Sequence, residues 1–264
     1  MTPILVRRAG DLPPIERKAL AGTRVLLFLS PSGHAVQETL VPVAVLREAG
    51  VGVHLATWDA RAIRFEPVGN LMAFAAPWST SLRSLWAAWR TGELRHVTPL
   101  RNLEDDGLLG GCLRGFDALV IPGGHGPVFA EFLLGEPVRA LLRTFAESGR
   151  IVGLVCHATA AAGEAGRGRE MTCWPRPYER VLGALPLLGD YFAPLGRPAE
   201  DFVAAVASRV HTSARPWKMP HAVIDGNLVT AWGPWSARLF ALALMNRLAA
   251  RPAREACPAP EVLS

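Results

Sequence analysis

Apolar and polar positions follow two rhythms along this chain. Arg24-Val25-Leu26-Leu27-Phe28-Leu29, Val51-Gly52-Val53-His54-Leu55-Ala56-Thr57, Phe116-Asp117-Ala118-Leu119-Val120-Ile121 and Ile151-Val152-Gly153-Leu154-Val155 are short, largely apolar runs. Runs of that length bounded by turn residues predict strands buried on both faces. Elsewhere apolar residues recur every three or four positions. Leu40, Val43, Leu46 and Ala49 predict a helix over Glu38 to Ala49, closed by Gly50, and Val138 to Ser148 form an amphipathic helix ended by Gly149. Strand, helix and strand in that order imply parallel pairing through right-handed crossovers. Near the end, Ala222-Val223-Ile224 and Leu228-Val229-Thr230-Ala231 flank the tight turn Asp225-Gly226-Asn227, and Ser236 to Ala249 read as a last helix.

Three stretches fall outside this pattern. Residues 1–22 read as an N-terminal arm, and residues 251–264 as a disordered tail. Residues 60–112 are the least regular part, an insertion or small cap in which Trp78, Trp86 and Trp89 crowd together with Phe65 and Phe74 nearby. The segment 23–250 then forms one α/β domain, a reasonable size for 264 residues of which 50% are apolar.

Composition removes several classes of function. No segment reaches the roughly 18 uninterrupted apolar residues of a membrane span. Met1 to Arg8 lack the apolar core of a secretory signal, so the cytoplasm is the expected location. Cys112, Cys156, Cys173 and Cys257 are widely spaced with no Cys-x-x-Cys pattern, which argues against a disulfide framework or a zinc site. The formal charge of +5 comes from scattered arginines, with Lys18 and Lys218 the only lysines. No basic run with interleaved aromatics is present, and nucleic acid is not an expected partner.

Two stretches carry candidate chemistry. The run Ile151 to Val155 stops abruptly at Cys156-His157, and Thr159-Ala160-Ala161-Ala162-Gly163 beyond it is compatible with a helix. A strand turning sharply into a helix would leave the Cys156 sulfur exposed at the tip, beside the positive helix end. The octapeptide from Ile151 to Ala158 reads equally well as an ordinary buried cysteine, a common fate of free thiols. The second stretch, Pro122-Gly123-Gly124-His125-Gly126-Pro127, follows a strand and brings backbone N–H groups toward a ligand. Its spacing is neither a dinucleotide fingerprint nor a Walker loop.

Taken together, three segments resemble one family. They are Gly33-His34-Ala35-Val36-Gln37-Glu38-Thr39-Leu40-Val41-Pro42, the stretch Phe116 to Pro127, and Val155-Cys156-His157-Ala158. In this order they resemble the ThiJ/PfpI superfamily, which shares its fold with class I glutamine amidotransferases. The Gly-Gly-His-Gly loop, the Cys-His pair and Val223 to Thr230 are similar to its branch of heat-shock chaperones and glutathione-independent glyoxalases (glyoxalase III). The resemblance spans roughly residues 24–249, and residues 60–112 match poorly.

That resemblance implies a flavodoxin-like α/β sandwich with a mostly parallel sheet, helices on both faces and a nucleophile elbow. It implies Cys156 as nucleophile, His157 as its acid–base partner, Glu179 as the carboxylate behind the histidine, and Glu38 as a carboxyl group beside the thiolate. Arg176-Pro177-Tyr178 depart from the family, whose members are usually smaller or more acidic there. Gly123, Gly124, His125, Gly126 and Trp174 become substrate-binding, with backbone N–H groups of Gly124 and His157 as an oxyanion hole. No metal or organic cofactor is implied, and a homodimer is the family's habit. The leading activity is conversion of methylglyoxal to lactate through a hemithioacetal on Cys156. The alternatives are an enzyme of specialised metabolism and a holdase chaperone. For the former, a larger hydrophobic substrate would be lined by tryptophans, with Trp174, Tyr178, Trp217, Trp232 and Trp235 adding to the insertion.

Overall fold

A computed structural model describes residues 2–57, 64–65, 98–99, 115–184, 189–213 and 220–251. The chain starts with β1 (Ile4–Val6) and reaches β2 (Arg24–Leu29) through two short 3-10 turns, with β3 (Ser32–His34) and α1 (Val36–Glu48) following. Next come β4 (Gly52–Thr57), β5 (Arg64–Phe65), β6 (Thr98–Pro99), β7 (Ala118–Ile121), α2 (Pro127–Leu134), α3 (Glu136–Glu147) and β8 (Ile151–Val155). A 3-10 turn over Cys156–Ala161 leads to α4 (Gly163–Gly166), β9 (Glu170–Thr172), α5 (Arg176–Gly183), α6 (Gly189–Phe192), α7 (Ala199–Ala204) and β10 (Arg209–His211). The chain closes with β11 (Ala222–Asp225), β12 (Leu228–Ala231) and α8 (Ala237–Ala249).

The main sheet has the order β1-β11-β12-β8-β7-β2-β4-β6. From β12 to β6 all pairings are parallel, and β11 and β1 add two antiparallel strands at one edge. Every residue of β7, β8 and β12 is buried, as are five of the six in β2, so helices must cover both faces. On one face α1 packs against α8, and α8 lies on β8, β11 and β12, while α3 packs on β7 and β8. Gly153 in β8 permits this approach: a Cβ there would stand 2.8 Å from Cζ of Phe240 on α8. The antiparallel turn at Gly226, with φ +59°, joins β11 to β12 as the sequence predicts.

Among the parallel strands the order is that of a flavodoxin-like sheet. The chain leaves β2 for β4 on one side, then returns to place β7 on the other side of β2. Such a reversal opens a crevice beyond the carboxyl ends of the flanking strands, where ligands of open α/β sheets bind. The loops at that crevice are Ser30 to Ala35 after β2, Pro122 to Gly126 after β7, and the turn at Cys156 after β8. Topology alone therefore brings the three motif segments to one place.

Several elements differ from the sequence pattern. The lead-in segment is stitched into the molecule: β1 pairs with β11, and Val6 and Leu20 are fully buried. Helix α2 begins at Pro127 directly after Gly126, at φ +85°, so residues that punctuate a loop also start a helix. The first two turns of α1 are buried from Val36 to Val43, because this end of the helix dives into the crevice carrying Glu38. The tryptophans Trp78, Trp86, Trp89 and Trp217, Phe74, Cys112 and the tail from 252 lie outside the described residues. Among the described residues no helix is long and apolar enough to cross a membrane.

Candidate active site

Val155 ends β8 in extended geometry, and Cys156 then turns to φ +59°, the only non-glycine positive φ among the described residues. A left-handed non-glycine residue costs on the order of 1–3 kcal/mol and persists only where its surroundings enforce it. Here Thr159 Oγ1 donates to the Cys156 carbonyl at 2.6 Å, closing the turn behind it. The expected helix after the elbow is a 3-10 turn of six residues, with α4 starting only at Gly163. The expected exposed sulfur is also corrected: Cys156 is 1% accessible, because α2 and α7 pack on the turn and the glycine loop lies against its Cβ.

Glu38 approaches from the β2 side. It is fully buried at the third residue of α1, and its Oε2 accepts the Gly123 N–H at 2.9 Å. A Cβ on Gly123 would overlap both the Glu38 carboxylate and Cys156 Cβ, and would stand 2.8 Å from the Val155 carbonyl. Only glycine lets the carboxylate and the cysteine share that space. Glu38 is thus a cross-loop acceptor as well as an acid in the first turn of its own helix.

His34 holds this arrangement from behind. Its Nε2 accepts the Ser30 N–H, and its Nδ1 lies 3.3 Å from the Gly123 carbonyl. Burial lowers its pKa from the ordinary value to about 4, with the Gly123 carbonyl partly opposing. A neutral ring with its proton on Nδ1 satisfies both contacts. His34 also pairs with Gly124 in an isolated antiparallel bridge, in which Ala35 N–H donates to Gly123 O at 3.0 Å and His125 N–H to Gly33 O at 2.9 Å. Gly33 and Gly124 are glycines for this reason: a Cβ on either would overlap a carbonyl of the other loop.

On the opposite side of the thiol, Cys156 Sγ lies 3.5 Å from Nδ1 of His157, and His157 Nε2 lies 3.3 Å from Glu179 Oε1. All three residues are at most 1% accessible. Glu179 Oε2 accepts the Ala199 N–H at 2.9 Å, so the first residue of α7 orients the carboxylate. Arg176 clamps the two helix starts together: its N–H donates to Glu200 Oε2 at 2.9 Å and its guanidinium pairs with Asp201. A carboxylate at Nε2 favours the proton there and leaves the Nδ1 lone pair facing the thiol, the arrangement in which an imidazole can accept a proton from sulfur.

Aromatic rings wall the histidine side. His125 meets His157 edge-on at 4.7 Å between centroids, and Trp174 lies 5.9 Å from His157 and 6.3 Å from His125. Trp174 is backed by fully buried Trp232 at 5.7 Å, which stacks on Trp235 at 5.3 Å. Of the ring lining expected for a large substrate, Trp174 therefore faces the histidines, Tyr178 packs on Trp174, and Trp232 and Trp235 form a backing stack. In the glycine loop the N–H groups of Gly123, His125 and Gly126 are committed to Glu38, Gly33 O and Tyr191 O, which leaves Gly124 as the remaining donor. Among the described residues no three His, Cys, Asp or Glu side chains gather as a metal site.

The structure thus brings Cys156, His157, Glu179, Glu38, Gly123, Gly124, His125, Gly126 and Trp174 to one crevice. Sequence reasoning passed over His34, Tyr191, Phe192 and the Ala199 N–H. His34 sat inside a motif segment and was a findable signal; a backbone donor at the start of a six-residue helix has no side-chain signature.

Residues 105–247 match the DJ-1/PfpI family. The chain belongs to that family. No curated protein matches it. Among solved structures, one chain is 26% identical, with 86% of this protein and 97% of its own length covered and a TM-score of 0.65. Rapid Encystment Protein 24 KDa of Francisella tularensis is 16% identical, covering 86% of this chain and 99% of its own, with a TM-score of 0.66. Glyoxalase III of Candida albicans is 19% identical, covering 85% and 96%, with a TM-score of 0.61. The last two likenesses establish the shared fold.

Proposed function

We propose that this DJ-1/PfpI protein is a cofactor-free cysteine enzyme acting on a small carbonyl compound, with glutathione-independent conversion of a 2-oxoaldehyde to a 2-hydroxy acid as its reaction. The observation that carries the reading is the strained thiol between an imidazole backed by a carboxylate and a second carboxyl group at Gly123. His157 accepts the Cys156 proton and the thiolate adds to the aldehyde carbon. The resulting oxyanion takes hydrogen bonds from the remaining loop donor at Gly124 and from the His157 N–H. Glu38, buried next to a developing anion, serves by keeping a proton and donating it toward sulfur, since burial and a nearby negative charge both favour the neutral acid. Proton transfer from the aldehyde carbon to its neighbour then gives a thioester, which water cleaves to the 2-hydroxy acid.

Burial supports a small substrate. A broad holdase surface has less support: among the described residues the exposed large apolar side chains are Val128 and Leu134 on α2 and Val181 on α5, single positions of the kind any soluble domain carries. The test is incubation with methylglyoxal, following lactate by chiral chromatography and Cys156 by peptide mass spectrometry. Lactate formation with a transient adduct on Cys156 is the expected result. Neither product nor adduct would reject the proposal.

A further inference from the structure

We infer that His125 is a second acid–base residue of this site, serving the oxygens of a 1,2-dicarbonyl substrate while His157 serves its carbons. The inference rests on the reading of Cys156 as nucleophile and adds a second histidine and a definite proton path to it. The Gly123 to Gly126 loop holds His125 in place through its own N–H to Gly33 O at 2.9 Å and the Gly126 N–H to Tyr191 O at 2.9 Å. Its ring is oriented by Tyr191, stacked at 6.2 Å and 25°, and by the edge of Phe192 at 5.4 Å. Trp174 adds an edge at 6.3 Å, and His157 lies edge-on at 4.7 Å. His125 is 8% accessible against 0% for His157 and 1% for Cys156, which makes it the outermost of the three.

Two adjoining imidazoles suit one class of chemistry better than another. Amide hydrolysis needs one histidine, which takes a proton from the nucleophile and returns it to the leaving group. Isomerising a hemithioacetal needs protons moved at two adjacent carbons and at two oxygens. With the substrate bound to Cys156, His157 first passes the thiol proton to the C1 oxyanion, making the C1 hydroxyl, and the neutral His157 then takes the hydrogen from C1. That electron pair becomes the C1–C2 double bond, and the C2 carbonyl π pair takes a proton brought by His125, giving an enediol. His157 then returns its proton to C2. The C1 hydroxyl gives its proton back to His125, and a thioester forms. C1 is oxidised, C2 is reduced, and no external oxidant or reductant is consumed.

Among the described residues the titratable groups packed against the His125 ring are His157 from the elbow and Tyr191 from α6; His157 in turn contacts Cys156 and Glu179, and Gly123 of the same loop donates to Glu38. The experiment uses the full chain, methylglyoxal as probe, and the variants His125→Asn and His125→Phe, the latter keeping a ring among the aromatics. Both should form the Cys156 adduct as the parent does, yet turn it over about 100-fold more slowly, as loss of one general acid–base group predicts. The kcat–pH profile should also change shape. Turnover within about threefold of the parent, or an unchanged pH profile, in a folded variant overturns the role of His125 and leaves Cys156 chemistry standing. A parent protein that forms neither adduct nor lactate overturns both.

Discussion

Two buried thiols sit on either side of His157 and Glu179, and nearly everything about them differs. Neither Cys156 nor Cys173 is in a disulfide, and both are at most 1% accessible. Cys156 stands at a left-handed elbow with an imidazole nitrogen at 3.5 Å. Cys173 follows β9 with ordinary backbone geometry, and burial first, then Glu200, Glu179 and Asp201, push its thiol pKa well above the usual value, Arg176 only partly opposing. A thiol kept neutral in this way is a packing group. What separates the two thiols is therefore not burial, which they share, but which partner each sulfur faces.

A second pair teaches the same lesson for histidine. His211 Nε2 lies 2.6 Å from Glu170 Oε2, closer than His157 lies to Glu179, but with side chains 13% and 28% accessible. That pair ties β10 to β9. The shorter contact belongs to the structural pair.

The comparison can be broken most sharply at the sulfurs. Cys156→Ala should lower turnover of methylglyoxal by about 10⁴-fold or more, the scale on which loss of a nucleophile acts. Steady-state kinetics against the parent, with circular dichroism to confirm folding, decides it; retained activity ends the assignment. Next in size is Glu179→Gln. The amide oxygen takes the Ala199 N–H, the amide NH₂ then faces His157 Nε2, and the imidazole proton is forced to the thiol side. A fall in kcat of roughly 10²–10⁴-fold is expected, and the same change at Glu170 should leave kcat within about threefold.

A smaller effect concerns stability. Unfolded His34 takes up a proton near pH 6.5, while the folded ring resists until about 4. Its contribution is complete above pH 6.5 and is lost as pH falls toward 4, to the extent of about 3 kcal/mol. Burial first, with Arg24 and Arg47, lowers His54 in the same sense. Urea unfolding between pH 7 and 4 should show the decline, and His34→Asn should flatten it; a variant with the parent's slope would remove His34 from the account. The smallest expected change is Cys173→Ala, costing about 1 kcal/mol of packing with kcat within threefold. A large loss of activity there would erase the distinction between the two thiols.

Much of the architecture was legible because buried parallel strands have a plain signature. The runs at 24–29, 51–57, 116–121 and 151–155 were short, largely apolar and bounded by glycine or polar turns, and each contains a strand. α3 was legible because Val138, Leu141, Leu142 and Phe145 fall on one face. The helix start at Pro127 was hidden by its own loop residues, and β9 and β10 by their three-residue length. At the site, cysteine, histidine and the glycine loop were visible as motifs, and Glu179 through family likeness alone, since one glutamate on a short helix carries no mark of burial.

The sequence by itself determined the buried strands, their parallel pairing through crossovers and the glycine-rich turn that ends one of them, because these depend on local sterics and on periodic burial. Only the tertiary structure decided that Glu38 turns from its own helix to the Gly123 N–H. It also decided that Ala199 aims Glu179, that His125 stands edge-on to His157, and that of two buried thiols one meets an imidazole and the other a group of carboxylates. Those pairings join residues up to 85 positions apart, as between Glu38 and Gly123. No local pattern encodes them, because they exist only once the sheet has brought its strand ends together.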